Sequence, residues 1–464
     1  MRKRWINRRL LTTKIFGINF RDMLKTSIQL EECCGCGGCV QICPTGALRM
    51  ERNADGFPIP ILDSDKCIDC KLCQSVCPIN KESLKKLTFK QADFSVAGIH
   101  KNVEVAGESS SGGAFSAISQ AFAKNGDCVF FGAEMLEDFS VKHRKAESLE
   151  EIASFRKSKY IPSDTVETFK QTKEFLKQGK HVLFSGTPCQ IASLKLFVGE
   201  KLQENLLTVD FSCHGVGSPS VWKKYLSDIE KKYGKKIVRF DFRAKAKSLA
   251  MYSSQSSRTI FEDGSELVKF KDSWFKGFVS ALFKRESCKG CPFSQPQRIS
   301  DITIADFWGI ERISKNWDSG KGVSLILLNT PKAIGMYDDI ASFAKLEKFP
   351  FEECLKYNIP LREKVSPHKD YKKFRELLKS SDFETALWQT LGYPTLLQRT
   401  TELFLRFFPI RMQHAITRLT KRTTGFVKIV ILKVLPKRIS SKIMGKWASI
   451  NGRVYIEENI ENKK

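Results

Sequence analysis

A chain of 464 residues, 42% hydrophobic and 11% aromatic, is too long for one ordinary domain and too apolar to be disordered or collagen-like. Its 77 Lys and Arg against 51 Asp and Glu leave a formal charge of +26, which favours an acidic partner without choosing among nucleic acid, anionic membrane, phosphorylated cofactor or acidic protein. Of its 15 cysteines, nine fall between Cys33 and Cys77, a concentration that excludes a short secreted disulfide scaffold and points to metal or cluster binding in a reducing compartment.

Residues 1–25 form a basic lead. Arg8-Arg9 is similar to a twin-arginine export signal, but Lys14, Arg21 and Asp22 break the apolar stretch that should follow, so export is not expected. The next segment, residues 26–82, carries Cys33-x2-Cys36-x2-Cys39-x3-Cys43-Pro44 and, 34 residues later, Cys67-x2-Cys70-x2-Cys73-x3-Cys77-Pro78. This spacing is that of bacterial two-cluster ferredoxins, in which three close cysteines grip one 4Fe-4S cube and the fourth, before proline, reaches the other. Cluster 1 is then expected on Cys33, Cys36, Cys39 and Cys77, and cluster 2 on Cys67, Cys70, Cys73 and Cys43. A pair of structural zinc sites would not explain the crossed fourth cysteine. Cys34 is surplus and expected to ligate nothing, while Gly35, Gly37 and Gly38 allow tight turns beside the cluster. Ala47 to Met50 and Phe57 to Leu62 read as a short hairpin around Asp55-Gly56, giving an α+β ferredoxin-like module.

Residues 93–345 alternate strand and helix. Expected strands are Phe94 to Ile99, Cys128 to Ala133, His181 to Ser185, Leu206 to Ser212, Ile237 to Phe242, Ile302 to Asp306 and Ser324 to Asn329. Expected helices are Ala114 to Lys124, Val166 to Gln178, Gln190 to Phe197, Val221 to Tyr233 and Lys332 to Phe343. The fold class is an α/β body with a mixed sheet, and Asp263-Gly264 adds an antiparallel hairpin. Three strand-to-helix junctions place Gly, Ser or Thr ahead of a helix, where free N–H groups suit a phosphate: Ser109 to Gly113, Gly186 to Gln190, and Cys213 to Pro219. Cys128 and Cys354 read as structural thiols.

The body resembles the family of coenzyme F420 hydrogenase/dehydrogenase beta subunits, whose members include chlorophyll-pathway reductases. The resemblance is carried by Glu108-Ser109-Ser110-Ser111-Gly112-Gly113, by Leu183 to Gln190, by Asp210 with Cys213-His214-Gly215, and by Ser287-Cys288-Lys289-Gly290-Cys291 leading into Ser300 to Gly309. Ala305 stands where relatives often have Gly. The resemblance implies a flavin-binding body holding FAD, with a third 4Fe-4S cluster beside it. Cys288 and Cys291 would supply two ligands, with Cys189 and Cys213 the candidates for the others; the lesser alternative for the Cys-x2-Cys pair is structural zinc or inert thiols. Ser110, Ser111, Gly112, Gly113, Thr187, Pro188, Gln190 and Asp306 are the expected cofactor contacts. His214 is the candidate catalytic residue, through a hydrogen bond to a flavin carbonyl or proton transfer, with a purely structural role as its alternative.

Residues 346–464 read as a basic, mainly helical extension. Between Leu391 and Ile456 thirteen Lys and Arg face one acid, Glu402. Such a segment suits an anionic membrane face, or packing on the body or a second subunit; nucleic acid is the weaker partner, since no reading motif accompanies the charge. No run reaches the roughly 18 apolar residues of a membrane span. The sequence thus leads to a cytoplasmic iron-sulfur flavoprotein oxidoreductase, peripheral to the inner membrane face if the tail binds lipid. It would exchange electrons with a ferredoxin-type or other redox protein, and hydride with coenzyme F420 or another small molecule. The alternative is a non-catalytic relay protein.

Overall fold

The computed structural model describes residues 31–165, 167–245, 256–269, 272–317 and 322–394, together with the strand Val454–Ile456. The basic lead and residues 395–453 of the extension lie outside the described residues.

In the cysteine-rich module, β1 (Leu48–Arg52) and β2 (Pro58–Leu62) pair antiparallel from Leu48 opposite Leu62 to Arg52 opposite Pro58. Asn53 closes the turn, its carboxamide oxygen accepting from the N–H groups of Asp55 and Phe57, with Gly56 left-handed at φ +78°. Two short helices, Gly38–Ile42 and Leu72–Ser75, each contain the third cysteine of their repeat and touch each other.

The body is built on a nine-stranded sheet. Its strands are β3 (Phe94–His100), β4 (Cys128–Met135), β5 (Val141–Ala146), β6 (Ser163–Asp164), β7 (His181–Ser185), β8 (Leu206–Phe211), β12 (Ile302–Asp306), β13 (Ser324–Leu328) and β14 (Ala344–Pro350), in spatial order β14-β3-β13-β12-β8-β7-β4-β5-β6. The centre, β12-β8-β7-β4, is parallel, whereas β14-β3-β13 joins it antiparallel. The central strands are short apolar runs such as His-Val-Leu-Phe-Ser because both faces are covered. The helix Ala114–Phe122 buries Ala117, Ile118 and Ala121 on one face, and Thr168–Lys177 and Pro188–Val198 bury Phe169, Ile191 and Leu194 on the other.

The strand Ile237–Asp241 (β9) is not part of this sheet. It pairs with the hairpin β10 (Ser257–Phe261) and β11 (Glu266–Lys269), and Val454–Ile456 adds parallel to β11. This smaller sheet packs on the helix Pro219–Tyr233 through Trp222, Tyr225, Phe240, Phe261 and Trp274. The described start of the extension belongs here too: Tyr371–Ser380 and Phe383–Leu391 are helices that bury Phe374, Phe383, Ala386 and Leu387 in the same core. The expected Lys332 to Phe343 helix is broken into Pro331–Gly335 and Tyr337–Phe343. Strands β5 and β14 escape the sequence pattern because their outward residues are Lys, Arg and Glu, as befits strands at or near a sheet edge.

Gly112, expected at a cofactor, instead lies against the sheet. A Cβ there would sit 2.1 Å from the Gly98 carbonyl oxygen and 2.7 Å from the Ser324 N–H nitrogen, both backbone atoms that cannot yield. Gly112→Ala should therefore cost about 1–3 kcal/mol, measured as a lowered denaturation midpoint. Gly107→Ala, with open space around it, should not lower it, and equal midpoints for the two would contradict this packing.

Candidate functional site

The fold gathers the cysteines in three sets. Burial is the main force raising the Cys39 thiol, and its charged neighbours are Cys36, Cys33, Cys77 and then Cys73. Cys73 in turn feels Cys70, Cys43 and Cys67. The x3-Cys-Pro cysteines have thus crossed over: Cys77 sits with the first triplet and Cys43 with the second. Gly35, left-handed at φ +68°, lets its N–H reach the Cys33 sulfur at 3.3 Å. Gly38 has a different reason to be glycine, since a Cβ there would lie 2.1 Å from Ser193 Oγ of the body.

A third set forms in the body. Burial pushes the Cys213 thiol well up, followed by the nearby charges of Cys288, Cys189 and Cys291. Burial likewise pushes Cys288 to about 12, with Cys189 and Cys291 again as neighbours. Cys189 opens the helix Pro188–Val198, Cys213 follows β8, and Cys288 ends a short 3-10 turn (Glu286–Cys288). Gly215, at φ +89°, donates its N–H to Cys213 Sγ at 3.3 Å and leaves room for Cys288, whose sulfur would lie 3.2 Å from a Cβ. Cys213, Cys288 and Cys291 are thus thiols that burial and mutual repulsion hold protonated, a state that iron reverses because a coordinated thiol is deprotonated. Among the described residues no three His, Cys, Asp or Glu are placed to share a single metal ion; a cube instead takes each thiolate on a different iron.

Cys34 is not idle. Its thiol lies in hydrogen-bonding reach of both Cys189 and Cys36, and by donating it lowers Cys36 to about 6 and Cys189 below its usual value. The first and third sets therefore meet across this one residue. Cys128 and Cys354 are buried, with Sγ donating to the Phe122 and Phe351 carbonyls.

Next to the third set opens a cavity of about 290 Å³, near the lower end of ligand-pocket sizes. It lies at the carboxyl ends of the parallel strands, where open α/β sheets bind ligands. Cys213, His214 and Gly215 form the wall it shares with the third set; Ser110, Ser111, Gly113, Thr187, Gln190 and Asp306 also line it. Gly112 and Pro188 do not: the first packs on β3, and the second is the buried first residue of its helix. Thr187 and Gln190 form a capping box, with the Gln190 amide donating to Ser163, so both are already committed to the helix start. Asp306 accepts both arms of Arg243, at 2.5 and 2.8 Å. Burial holds His214 near 4 and hence neutral. The Ser111 hydroxyl is buried in this wall without a hydrogen-bond partner, an orphan that a polar cofactor group would satisfy.

Asp210 is among the lining residues, but its carboxylate is taken up inside the sheet. It is fully buried and bound to Arg298 (2.8 Å) and Thr303 Oγ1 (2.5 Å), tying β8 to β12. Sequence reasoning missed His143 and the run Arg156-Lys157-Ser158-Lys159-Tyr160, which close the other side. The basic run was visible and unassigned. Lys159 buries its ammonium against four carbonyls, of Ala133, Ser154, Phe155 and Arg156, and burial lowers it to about 7. Lys157, left-handed at φ +68°, pairs with Glu108 and Asp241 at 2.9 and 2.8 Å.

With this geometry in place, comparison with known proteins shows which regions have relatives. Residues 179–353 match the model for the C terminus of the coenzyme F420 hydrogenase/dehydrogenase beta subunit, and residues 32–81 match a 4Fe-4S dicluster domain. An F(420)H(2) dehydrogenase subunit of Methanosarcina mazei is 26% identical over 229 residues, which is 46% of this chain and 63% of that protein. An uncharacterized ferredoxin of Methanocaldococcus jannaschii is 33% identical over 66 residues, 14% of this chain and 84% of that protein. A chain of the F420-reducing NiFe hydrogenase complex from Methanosarcina barkeri superposes with a TM-score of 0.40 at 15% identity, over 62% of this chain and 92% of that chain. The chain thus carries a 4Fe-4S dicluster domain ahead of a region that matches the C terminus of the coenzyme F420 hydrogenase/dehydrogenase beta subunit. No helix among the described residues is long and apolar enough to cross a membrane.

His143 yields a test of the cavity wall. It is buried, stacked on Phe184 and held between the Ser185 carbonyl and Ser163 Oγ, both at 2.9 Å; burial lowers it from 6.5 to about 4. The native state then binds fewer protons than the unfolded chain across that interval. Its contribution to stability is full above pH 6.5 and falls away toward pH 4, by on the order of 3 kcal/mol over the whole interval. His143→Asn should lose less stability than the parent between pH 6.5 and 5 in denaturant titrations. Equal losses would contradict a neutral, buried His143.

Proposed function

We propose that this protein is an iron-sulfur flavoprotein oxidoreductase in which three 4Fe-4S clusters form a single wire between an exposed docking face and a flavin cavity. The observation that supports it most strongly is the continuity of the thiol sets. The second set lies at the surface, with Cys70 exposed and Ile68 and Leu72 beside it at 65% and 42% exposure. The second meets the first at Cys73 and Cys39, the first meets the third at Cys34, and the third borders the cavity at Cys213. An electron carrier would dock on the apolar patch around Cys70.

Cluster 1 would be held by Cys33, Cys36, Cys39 and Cys77, cluster 2 by Cys67, Cys70, Cys73 and Cys43, and cluster 3 by Cys189, Cys213, Cys288 and Cys291. FAD would occupy the cavity, with Ser110, Ser111 and Gly113 on one side and His214 on the other. Its ring supplies the exchange between a two-electron hydride step and the one-electron steps of the clusters. The protein's own part is to orient that ring, exclude water and keep His214 a neutral hydrogen-bond partner. The substrate would be coenzyme F420 or another hydride-exchanging small molecule, since one body serves several substrates on the same fold. The ferredoxin module would span 26–82 and the flavin and cluster body begin at 93, but the body runs past the expected limit at 345, because β14 and the helices Tyr371–Ser380 and Phe383–Leu391 pack in it, so the basic extension would begin after Leu391. A cytoplasmic location, with the extension at an anionic membrane face, completes the reading.

Anaerobic purification with iron, sulfide, zinc and flavin quantitation tests it. About twelve irons, four per cube, and one FAD are expected, and Cys291→Ser should lose about four of them while the other two clusters keep their electron paramagnetic resonance signals. About eight irons with zinc and no flavin would sink the enzyme and leave a relay.

A further inference from the structure

Arg285 is the least expected charge in the molecule. It is 4% exposed, and no acidic side chain lies within ion-pair distance of it among the described residues. Its Nε donates to the Cys33 carbonyl at 2.7 Å and one terminal nitrogen to the Pro58 carbonyl at 2.7 Å, both across the seam from body to ferredoxin module. The other terminal nitrogen has no hydrogen-bond partner and would lie 2.6 Å from a Cβ at Gly35. The guanidinium faces the Phe57 ring at 5.3 Å. Its charge acts on Cys33 and Cys36 of the first set and on Cys189 and Cys288 of the third.

A buried cation with no carboxylate to answer it is expensive unless another anion is close. The acidic groups that its charge reaches are cysteine sulfurs on the two sides of the seam, Cys33 and Cys36 on one and Cys189 and Cys288 on the other. We infer that Arg285 is the shared counter-charge of clusters 1 and 3, a positioning residue that raises the potential of both and so favours electron passage between module and body. This rests on the proposed three-cluster reading. Reducing a cube by one electron adds one negative charge to it, which a fixed cation nearby stabilises; net charge and hydrogen bonds to the cluster surroundings are the protein's levers on such potentials. Lys284, whose ammonium sits 4.4 Å from the Phe278 ring, feels Cys288 and Cys213 among the cysteines, so of the three thiol sets it bears on the third.

Redox titrations of the full chain, followed by electron paramagnetic resonance and assigned with Cys70→Ser and Cys291→Ser, read the effect. In Arg285→Gln the midpoints of clusters 1 and 3 should move to more negative potential while that of cluster 2 stays in place; in Lys284→Met only cluster 3 should move. Unchanged midpoints in a fully loaded Arg285→Gln, or an equal shift of all three, would overturn the inference and leave Arg285 a strut. Should Arg285→Gln fail to load its clusters, Arg285→Lys decides: loading with lysine shows that the charge is what the seam requires, and failure of both shows a role for the fork of hydrogen bonds alone. A parent protein with fewer than about twelve irons would instead sink the three-cluster reading, a separate result.

Discussion

The seam between the ferredoxin module and the body is the contact on which the rest depends. Gly38 lies so close to the helix Pro188–Val198 that a methyl group there would overlap Ser193 Oγ, while the same Ser193 hydroxyl donates to the Val76 carbonyl at 2.9 Å. Thr165 donates to the Cys36 carbonyl at 2.9 Å, Gln41 donates to Thr165 and accepts from the Phe169 N–H, and Ser218 donates to the Asp55 carbonyl at 2.7 Å. The Val76 and Cys36 carbonyls belong to the short cysteine loops, so these contacts both satisfy loop backbone and dock the module. Because Cys189 opens the very helix that Gly38 touches, docking the module also brings its first thiol set to the third.

The body's sheet does the complementary work. Its parallel centre ends on one side in the loops carrying Thr187, Cys213 and Asp306, so a single edge supplies both cavity wall and thiols. The buried Asp210–Arg298 pair, with Thr303, Thr208 and Asp301 hydrogen-bonded around it, fixes β8 against β12 just behind that edge. Breaking one partner of such a pair strands the other in the interior. The arrangement therefore fixes position and leaves chemistry to the groups beyond it.

Much of this was legible in the sequence, for identifiable reasons. The eight ferredoxin cysteines announce themselves because cluster geometry demands rigid spacing, and six of the seven expected body strands are short apolar runs of a doubly covered sheet, the seventh, Ile237 to Phe242, lying in the smaller sheet. Cys189, Cys213, Cys288 and Cys291 are neighbours in the fold, although they are spread over about a hundred residues and no local spacing links the first two to the pair. What stayed hidden depends on tertiary approach. Gly112 and Gly38 are glycines for reasons that lie on other segments, at Gly98 and Ser193. The strand Val141–Ala146 was masked by its outward Lys and Arg. Arg285 and Lys159 looked like two of many surface bases in a basic chain, and only the fold shows Arg285 buried and the Lys159 ammonium turned in to backbone carbonyls. Cys34, set aside as surplus, lies where the two thiol sets meet.

The central claim is that three iron-sulfur cubes lie in series from the surface to the cavity. Anomalous scattering from crystals of the anaerobically purified chain, recorded on either side of the iron and zinc edges, tests it most directly. The account predicts three iron centres: one within Cys67, Cys70, Cys73 and Cys43, the next within Cys33, Cys36, Cys39 and Cys77, and the last within Cys189, Cys213, Cys288 and Cys291 against the cavity. Iron in the first two alone, with zinc or no metal at the third, would contradict it.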